Sequence, residues 1–501
     1  MIKWLSNLSR RDAFILLMIA FLTSILIRLP NLKRPLSKHH EFLPATVLIN
    51  AASWKQGGGG EVFNYTPVMN YQNKGDKVYE KGPNIDKDGN ILYLSLGPGW
   101  YIIPYWFLNV FDASFRVSSL RIVNLFFNFI SIILCFFLLN MLVPESLKRR
   151  YLLILTGCVA LLFSPGILWY FGNGYTHTAV MLPFLFTLLL VLVPMIQHHS
   201  RITIGRLSIV FVLFVLGLYM DWFAAFVGIS TIGLCLFRTK SNKKYLLLTS
   251  VIIAALSAGV LLIFWQYSSY AGYNVTKHYW ELRFFARSAV SKDADFLTMI
   301  TYLPMHYVTA YLPLLSGIFI TTIIALINKQ YVQFAEKEII FLCVYGVAIL
   351  MYHIGLLNWS YEHEFSVVPA CLMLVYLFIR YLFFITSYIN KKWLIAATVL
   401  FFLMNVAQYY YINPPGGRSL NGMPYSTYET FGNQLRNIDK DVKIFMQMQE
   451  GNPMIEYYAK RNITNAANID EAKKMMLRWN TSKAVWIEQN SFTLEKIIAI
   501  Q

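Results

Sequence analysis

Charge is scarce in this chain. Only 14% of its 501 residues are Asp, Glu, Lys or Arg, against 56% hydrophobic and 16% aromatic ones. So little polar surface cannot wrap a soluble globule of this size, which leaves a polytopic membrane protein. Acidic residues are scarcer still, 26 against 43 basic ones, for a net charge of +17. The basic residues sit in short clusters between apolar runs and not along one face, so the charge excludes nucleic acid and points to membrane lipids as the partner. Cysteine is rare and badly placed for bridging. Cys135, Cys158, Cys235, Cys343 and Cys371 all fall inside apolar runs and read as packing residues. An internal repeat of the kind transporters built from two related halves often show is also missing.

Long apolar runs are abundant. A bilayer core takes roughly 20 apolar residues per helix. Runs of that kind lie near 12–29, 120–142, 151–165, 177–196, 207–221, 222–237, 245–265, 312–328, 339–355, 365–386 and 393–411, about eleven spans in all. The fold class expected is therefore an all-α polytopic membrane bundle. Basic residues occupy alternate loops, among them Lys3, Arg10 and Arg11; Lys148, Arg149 and Arg150; Arg238, Lys240, Lys243 and Lys244; and Lys391 and Lys392. Loops 166–176 and 356–364 carry none. The positive-inside bias puts the N-terminus in the cytoplasm and, with an odd number of spans, the C-terminal tail outside the cytoplasmic membrane. Arg380, in the tenth span, lies within reach of the cytoplasmic side and is expected to snorkel there. The first run reads as an anchor, because no small-residue cleavage site follows it.

"YLSLGPGWYIIPYWFLNVF", 93–111, is interrupted by Pro98 and Pro104 and rich in Trp and Tyr, which suits a helix lying in the interface. The expected domains are a transmembrane catalytic domain over 1–411, with outer loops 30–119 and 266–311, and a small α/β extracytoplasmic domain over 412–501. In the latter, "VKIFMQM" and "KAVWIEQ" read as strands, and 453–460 and 470–479 as helices.

Titratable residues gather in the outer loops. His39, His40 and Glu41 follow the first span between Pro35 and Pro44. A partly desolvated carboxylate beside imidazoles makes Glu41 a candidate general base, worth about 10²–10⁴ in rate; a solvated loop with Glu41 paired to Lys38 or Arg34 is the plainer alternative. Glu362, His363 and Glu364, on a short outer loop, resemble a metal site or a polar cap over helix ends. A divalent cation is the one cofactor the sequence leaves open. His177 marks the entrance to the fourth span, as a substrate-binding or an ordinary interfacial histidine, and Asp221 sits at a tight outer turn as a ligand-binding acid or a helix N-cap. Arg283 and Arg287, four apart and hence on one helical face, suit a lipid-linked phosphate or plain interfacial anchoring. Tyr93 opens the interfacial stretch as a further substrate-binding candidate.

The order of these features resembles the GT-C superfamily of integral membrane glycosyltransferases, such as protein O-mannosyltransferases and the aminoarabinose transferase of lipid A. The resemblance covers most of the chain: Glu41 falls at the acidic position after the first span, "LGPGWYIIPYW" at the interfacial stretch, and "GNGYTHTAVML" at the segment opening the fourth span. It implies transfer of a hexosyl or pentosyl group from a polyprenyl-phosphate donor to an acceptor hydroxyl, on a glycan, lipid or protein, at the outer face. Glu41 or its neighbour His40 would be the base, with His39, Tyr93, His177, Asp221, Arg283, Arg287, Glu362 and His363 holding substrate. The family's usual Asp is here His-His-Glu, its Pro-Pro is Gly97-Pro98-Gly99, and its Asp opening the fourth span is Thr176-His177. Replacing Glu41 with Gln is expected to abolish transfer and leave folding intact. A flippase for lipid-linked saccharide is the alternative; it would place ionisable groups near the bilayer midplane, and they gather at the outer face instead.

Overall fold

A computed structural model describes the chain except residues 1–7, 38–39, 78–81, 112–113, 146, 148, 175, 241, 289–294, 329–332, 387–390, 415–423, 448–451, 491–492 and 501. Apolar periodicity sets the bundle. In α1 (Arg10–Leu32), Ile15, Ile19, Leu22, Leu26 and Leu29 recur at helical spacing and are exposed, while Ala13, Leu17, Phe21, Ser24, Arg28 and Asn31 are buried on the other side. A helix that turns a continuous apolar stripe outward is solvated by lipid. Ser9 caps it, its hydroxyl accepting the Asp12 N–H at 3.1 Å.

The long loop that follows holds α2 (Phe42–Gly57) and α3 (Gly99–Val110). Next come α4 (Val117–Leu142), α5 (Arg150–Phe163), α6 (Pro165–Gly172), α7 (Thr176–Gln197), α8 (Ile204–Met220), α9 (Phe223–Arg238), α10 (Lys244–Ala271) and α11 (Tyr273–Arg287). Then follow α12 (Phe296–Ile327), α13 (Glu336–Phe341) running through a π turn into α14 (Val347–Gly355), α15 (Leu357–Glu362), α16 (Cys371–Thr386) and α17 (Lys391–Ile412). Every apolar run marked in the sequence is helical. Among the described residues seven helical segments are long and apolar enough to cross a membrane, α5 with α6 makes an eighth bent by 55°, and α8, α9 and Thr398–Ile412 are shorter. The protein is a multi-pass membrane bundle.

The breaks have local causes. Pro165 lacks an N–H and drives Ser164 out of the helical region, to ψ 134°, which bends α5 into α6. Arg28, 1% exposed, fills the bend: it donates to the carbonyls of Ile167 at 3.3 Å and Leu168 at 3.1 Å, and to Ser24 Oγ at 2.9 Å. In α12, Pro313 cannot bond the Thr309 carbonyl, and Tyr311 leaves the helical region at φ −141°. The Gln408 amide donates to both Val308 O, at 3.1 Å, and Thr309 O, at 3.0 Å, in place of the lost bond. Arg380 is 4% exposed, pairs with buried Glu338 at 2.8 Å and donates to the Gln333 carbonyl at 2.9 Å in the loop before α13, so its charge and one N–H are satisfied within the protein.

The tail holds α18 (Thr427–Arg436), β1 (Lys443–Met446), α19 (Asn452–Ala459), β2 (Thr464–Asn465), α20 (Ile469–Arg478), β3 (Ala484–Asn490) and β4 (Thr493–Ile500). The sheet order is β2-β1-β3-β4, with β1 parallel to β2 and β3, and β4 antiparallel to β3. One apolar cluster joins this module to the loop ahead of α4. Phe431, Ile444 and Ile455 pack with Leu36, Trp54 and Trp100. Polar ties reinforce it: buried Arg461 pairs with Asp76, and Asn462 copies a strand pairing by accepting the Tyr71 N–H at 2.6 Å and donating to Tyr71 O at 2.9 Å. Truncating Asn462→Ala orphans both buried backbone groups and is expected to cost about 1–3 kcal/mol, seen as a lower thermal midpoint and earlier proteolysis of the tail.

Candidate active site

The chain between α1 and α2 is held by charge. Arg121, buried on α4, donates to the carbonyls of Asn31 at 2.8 Å, Leu32 at 3.1 Å and Arg34 at 2.5 Å, closing the end of α1. Beside it, Glu41 is 0% exposed: one carboxylate oxygen meets Arg34 and lies 3.6 Å from Arg121, and the other accepts the Ser37 N–H at 2.7 Å. Burial alone pushes this carboxyl up, but Arg34, Arg121 and the Ser37 N–H outweigh it and hold it below the usual carboxylate range. The pairing with Arg34 is the plainer alternative read from the sequence, although the pair is buried and not in a solvated loop. A buried carboxylate with both oxygens engaged clamps this turn of the chain.

His40 goes the other way. It adopts φ 61°, in the left-handed region, at a cost of about 1–3 kcal/mol. That turn sends its ring out of the clamp, where Nε2–H donates to the Glu362 carbonyl at 3.0 Å and the ring lies 5.0 Å from that of His363. His363 in turn stacks on Trp359 at 3.8 Å, and Phe365 packs against both histidines. The Glu362 side chain, 44% exposed, accepts from Asn358 at 3.3 Å and lies 4.0 Å from His363. His39 lies outside the described residues.

Three further expected residues join this cluster. Arg287, from the last turn of α11, sits 4.4 Å over the Trp359 ring and donates to Tyr93 Oη at 3.2 Å and Ser95 O at 3.4 Å. His177, at the start of α7, is 5% exposed and edged by Trp100 at 5.6 Å, Phe365 at 5.8 Å and Trp359 at 6.5 Å. Its Nε2 bonds Asp221 Oδ2, while Asp221 Oδ1 accepts the Phe223 N–H at 2.6 Å. Asp221 thus ties the turn into α9 through the Phe223 N–H and anchors a histidine.

Arg283, one turn before Arg287, donates to Tyr279 Oη at 3.1 Å. Both arginines line a groove of 580 Å³ whose other walls are Ser95; Trp222, Ala225 and Phe226 at the start of α9; Trp280, Glu281, Phe284 and Phe285 of α11; and Leu356. The groove is mostly apolar, and its polar lining is Ser95, Glu281 and the two arginines.

Trp359, Trp100 and Phe365 are the residues that sequence reasoning missed, and they hold the cluster together. One signal was available: Trp359 precedes His363 by one helical turn. A further histidine also escaped it, His353, bonded to Tyr307 Oη at 2.8 Å and Ser360 Oγ at 3.0 Å. Among the described residues no three His, Cys, Asp or Glu side chains gather closely enough to hold a metal ion, so Glu362, His363 and Glu364 do not make such a site between them.

No family model matches this sequence, and no curated protein does. Solved structures do. ArnT from Cupriavidus metallidurans, bound to undecaprenyl phosphate, superposes over 94% of this chain and 92% of its own with a TM-score of 0.60 at 11% identity. Its apo form covers 96% and 94% with a TM-score of 0.57 at 12% identity. The oligosaccharyltransferase AglB from Archaeoglobus fulgidus, in complex with an inhibitory peptide and a dolichol-phosphate, matches 95% of this chain and 69% of its own, with a TM-score of 0.57 at 12% identity. The resemblance seen in the sequence thus holds at the level of architecture: the chain has the fold of the GT-C glycosyltransferases ArnT and AglB.

Proposed function

We propose that this protein transfers a sugar from a polyprenyl-phosphate-linked donor to an acceptor hydroxyl at the outer face of the cytoplasmic membrane. The observation that carries the reading is the pair Arg283 and Arg287 in a mostly apolar groove, where two cations outnumber the one acid, Glu281. An isoprenoid chain fits the aromatic walls, and guanidiniums suit its phosphate. Arg287 also touches Trp359, so a phosphate held there puts the attached sugar against the aromatic and histidine cluster. Two proteins of similar fold carry undecaprenyl phosphate and dolichol-phosphate, which supports the same lipid class here. The outward orientation rests on the basic loops, which lie at the end of the bundle away from this cluster.

In the mechanism this implies, Arg287 and Arg283 neutralise charge as it grows on the departing phosphate, and the acceptor oxygen attacks the anomeric carbon through an oxocarbenium-like state. Trp359 and Trp100 offer flat apolar faces to the sugar, and Tyr93, Glu362 and His363 line its approach. Glu41 stays out of the chemistry and fixes the backbone from which His40 projects.

The test is transfer of labelled sugar from polyprenyl-phosphate donors by the full chain in lipid nanodiscs, with binding of undecaprenyl phosphate read from tryptophan fluorescence. Filling the groove with Ala225→Trp is expected to raise the donor KM at least about tenfold, since blocking two buried methylenes is worth about 1.6 kcal/mol. Unchanged donor binding in that variant, or no binding by the natural chain, would sink the proposal.

A further inference from the structure

With Glu41 clamped, the acceptor's proton needs another destination. We infer that the His177–Asp221 pair takes it: His177 Nδ1 is the general base and Asp221 orients and stabilises the ring. This inference rests on the sugar-transfer reading above and names its base.

The chemistry follows from the bonding. A carboxylate only accepts hydrogen bonds, so the bond between His177 Nε2 and Asp221 Oδ2 places the ring proton on Nε2 and leaves the lone pair on Nδ1. Asp221 cannot swing away, because its other oxygen is fixed by the Phe223 N–H at 2.6 Å. Nδ1 is buried, yet no protein group among the described residues bonds it. A buried polar atom left without a partner costs about 1–3 kcal/mol, a cost that a substrate hydroxyl would remove.

Among the described residues two more buried groups lack a bonding partner nearby: Trp100 Nε1, whose ring edges His177 at 5.6 Å, and Ser95 Oγ, whose own carbonyl bonds Arg287. An indole N–H donor, a hydroxyl and an imidazole acceptor around aromatic faces form a polar rim suited to a polyol. Two other histidines of the region carry bonds of their own. His40 Nε2 is spent on the Glu362 carbonyl, and both nitrogens of His353 are bonded. Trp359 borders both His177 and Arg287, so one indole separates the base from the phosphate clamp.

In the step itself, the acceptor O–H proton passes to Nδ1 while an oxygen lone pair forms the new bond to the anomeric carbon. The bond from that carbon to the phosphate oxygen breaks, and its electron pair leaves with the polyprenyl phosphate. The imidazolium so formed is held by Asp221 and returns its proton to water when product departs.

The experiment compares His177→Ala and Asp221→Asn with the natural chain, measuring kcat against pH, undecaprenyl phosphate binding, and rescue by added imidazole. The charged and titratable groups bordering the pair are Tyr352 beside Asp221, Arg287 across Trp359, His40, His363 and Tyr170 across Phe365, and Tyr101 stacked on Trp100. His177→Ala is expected to bind the lipid phosphate normally, lose transfer by about 10²–10⁴, and regain part of it with imidazole. Asp221→Asn removes the charge that favours imidazolium, so the acid limb of its residual activity should move to lower pH. Transfer by His177→Ala near the natural rate, or an unmoved acid limb in Asp221→Asn, overturns the inference. Should His177→Ala fail to fold, the limb in Asp221→Asn decides alone. A natural chain that transfers no sugar would instead overturn the parent reading.

Discussion

Replacing Glu41 with Gln is expected to destabilise the protein by about 3–5 kcal/mol, the range measured when one partner of a buried ion pair is removed. Gln keeps the shape and can still accept the Ser37 N–H, but it leaves Arg34 and Arg121 facing each other without a counter-charge at a site with no exposure. The loss should appear as a lower thermal midpoint in detergent and a smaller monodisperse yield, ahead of any effect on turnover. The pH dependence carries the same sign. Because the folded carboxyl lies below its unfolded value near about 4.3, the clamp's contribution is fully present above that value and is lost as pH falls through the folded one. The natural chain should therefore lose stability steeply under acid, and Glu41→Gln should lack that part of the acid dependence. A Gln variant as stable as the natural chain but inactive would restore Glu41 to the chemistry.

Neighbouring residues with opposite roles explain why the site was only partly readable. Apolar runs long enough for a bilayer announce themselves, and the arginine spacing in "LRFFAR" places two cations on one helical face without any tertiary knowledge. Whether Glu41 or His40 points toward the aromatic cluster depends on a left-handed turn at His40 and on Arg121, which arrives from α4. Neither leaves a local trace. His177 and Asp221 were each visible as polar residues at helix ends, but their pairing is a product of how α7 meets the turn between α8 and α9. The same holds for Arg28 and Arg380, whose partners come from elements distant in sequence. Strand β4 and helix α18 escaped the reading of the tail because β4 borders the edge of a short sheet, and α18 makes its apolar face only against the rest of the tail and loop.

Arg287 is where the second large effect is expected. Its guanidinium touches the groove, the Trp359 ring, Tyr93 and Ser95 at once, so it can follow the phosphate from bound donor to departing product. In the ground state the donor is a diester with one negative charge; as the anomeric bond breaks, charge accumulates on the leaving oxygen. An interaction that strengthens along this path lowers the barrier and not merely the dissociation constant. Arg287→Ala should accordingly lower kcat by about 10²–10³, the scale measured for removing one pre-oriented donor to a developing oxyanion, with a smaller change in donor KM. Arg287→Lys keeps the charge but loses the planar fork and the stacking on Trp359, so it should recover only part of the rate. Arg283, exposed and bonded to Tyr279, makes no contact with the Trp359 ring, and its Ala variant should act mainly on donor KM. If Arg287→Ala instead weakens binding with kcat unchanged, the guanidinium anchors the lipid and takes no part in expelling it. If neither parameter moves, the phosphate binds elsewhere, and the groove does not serve the donor.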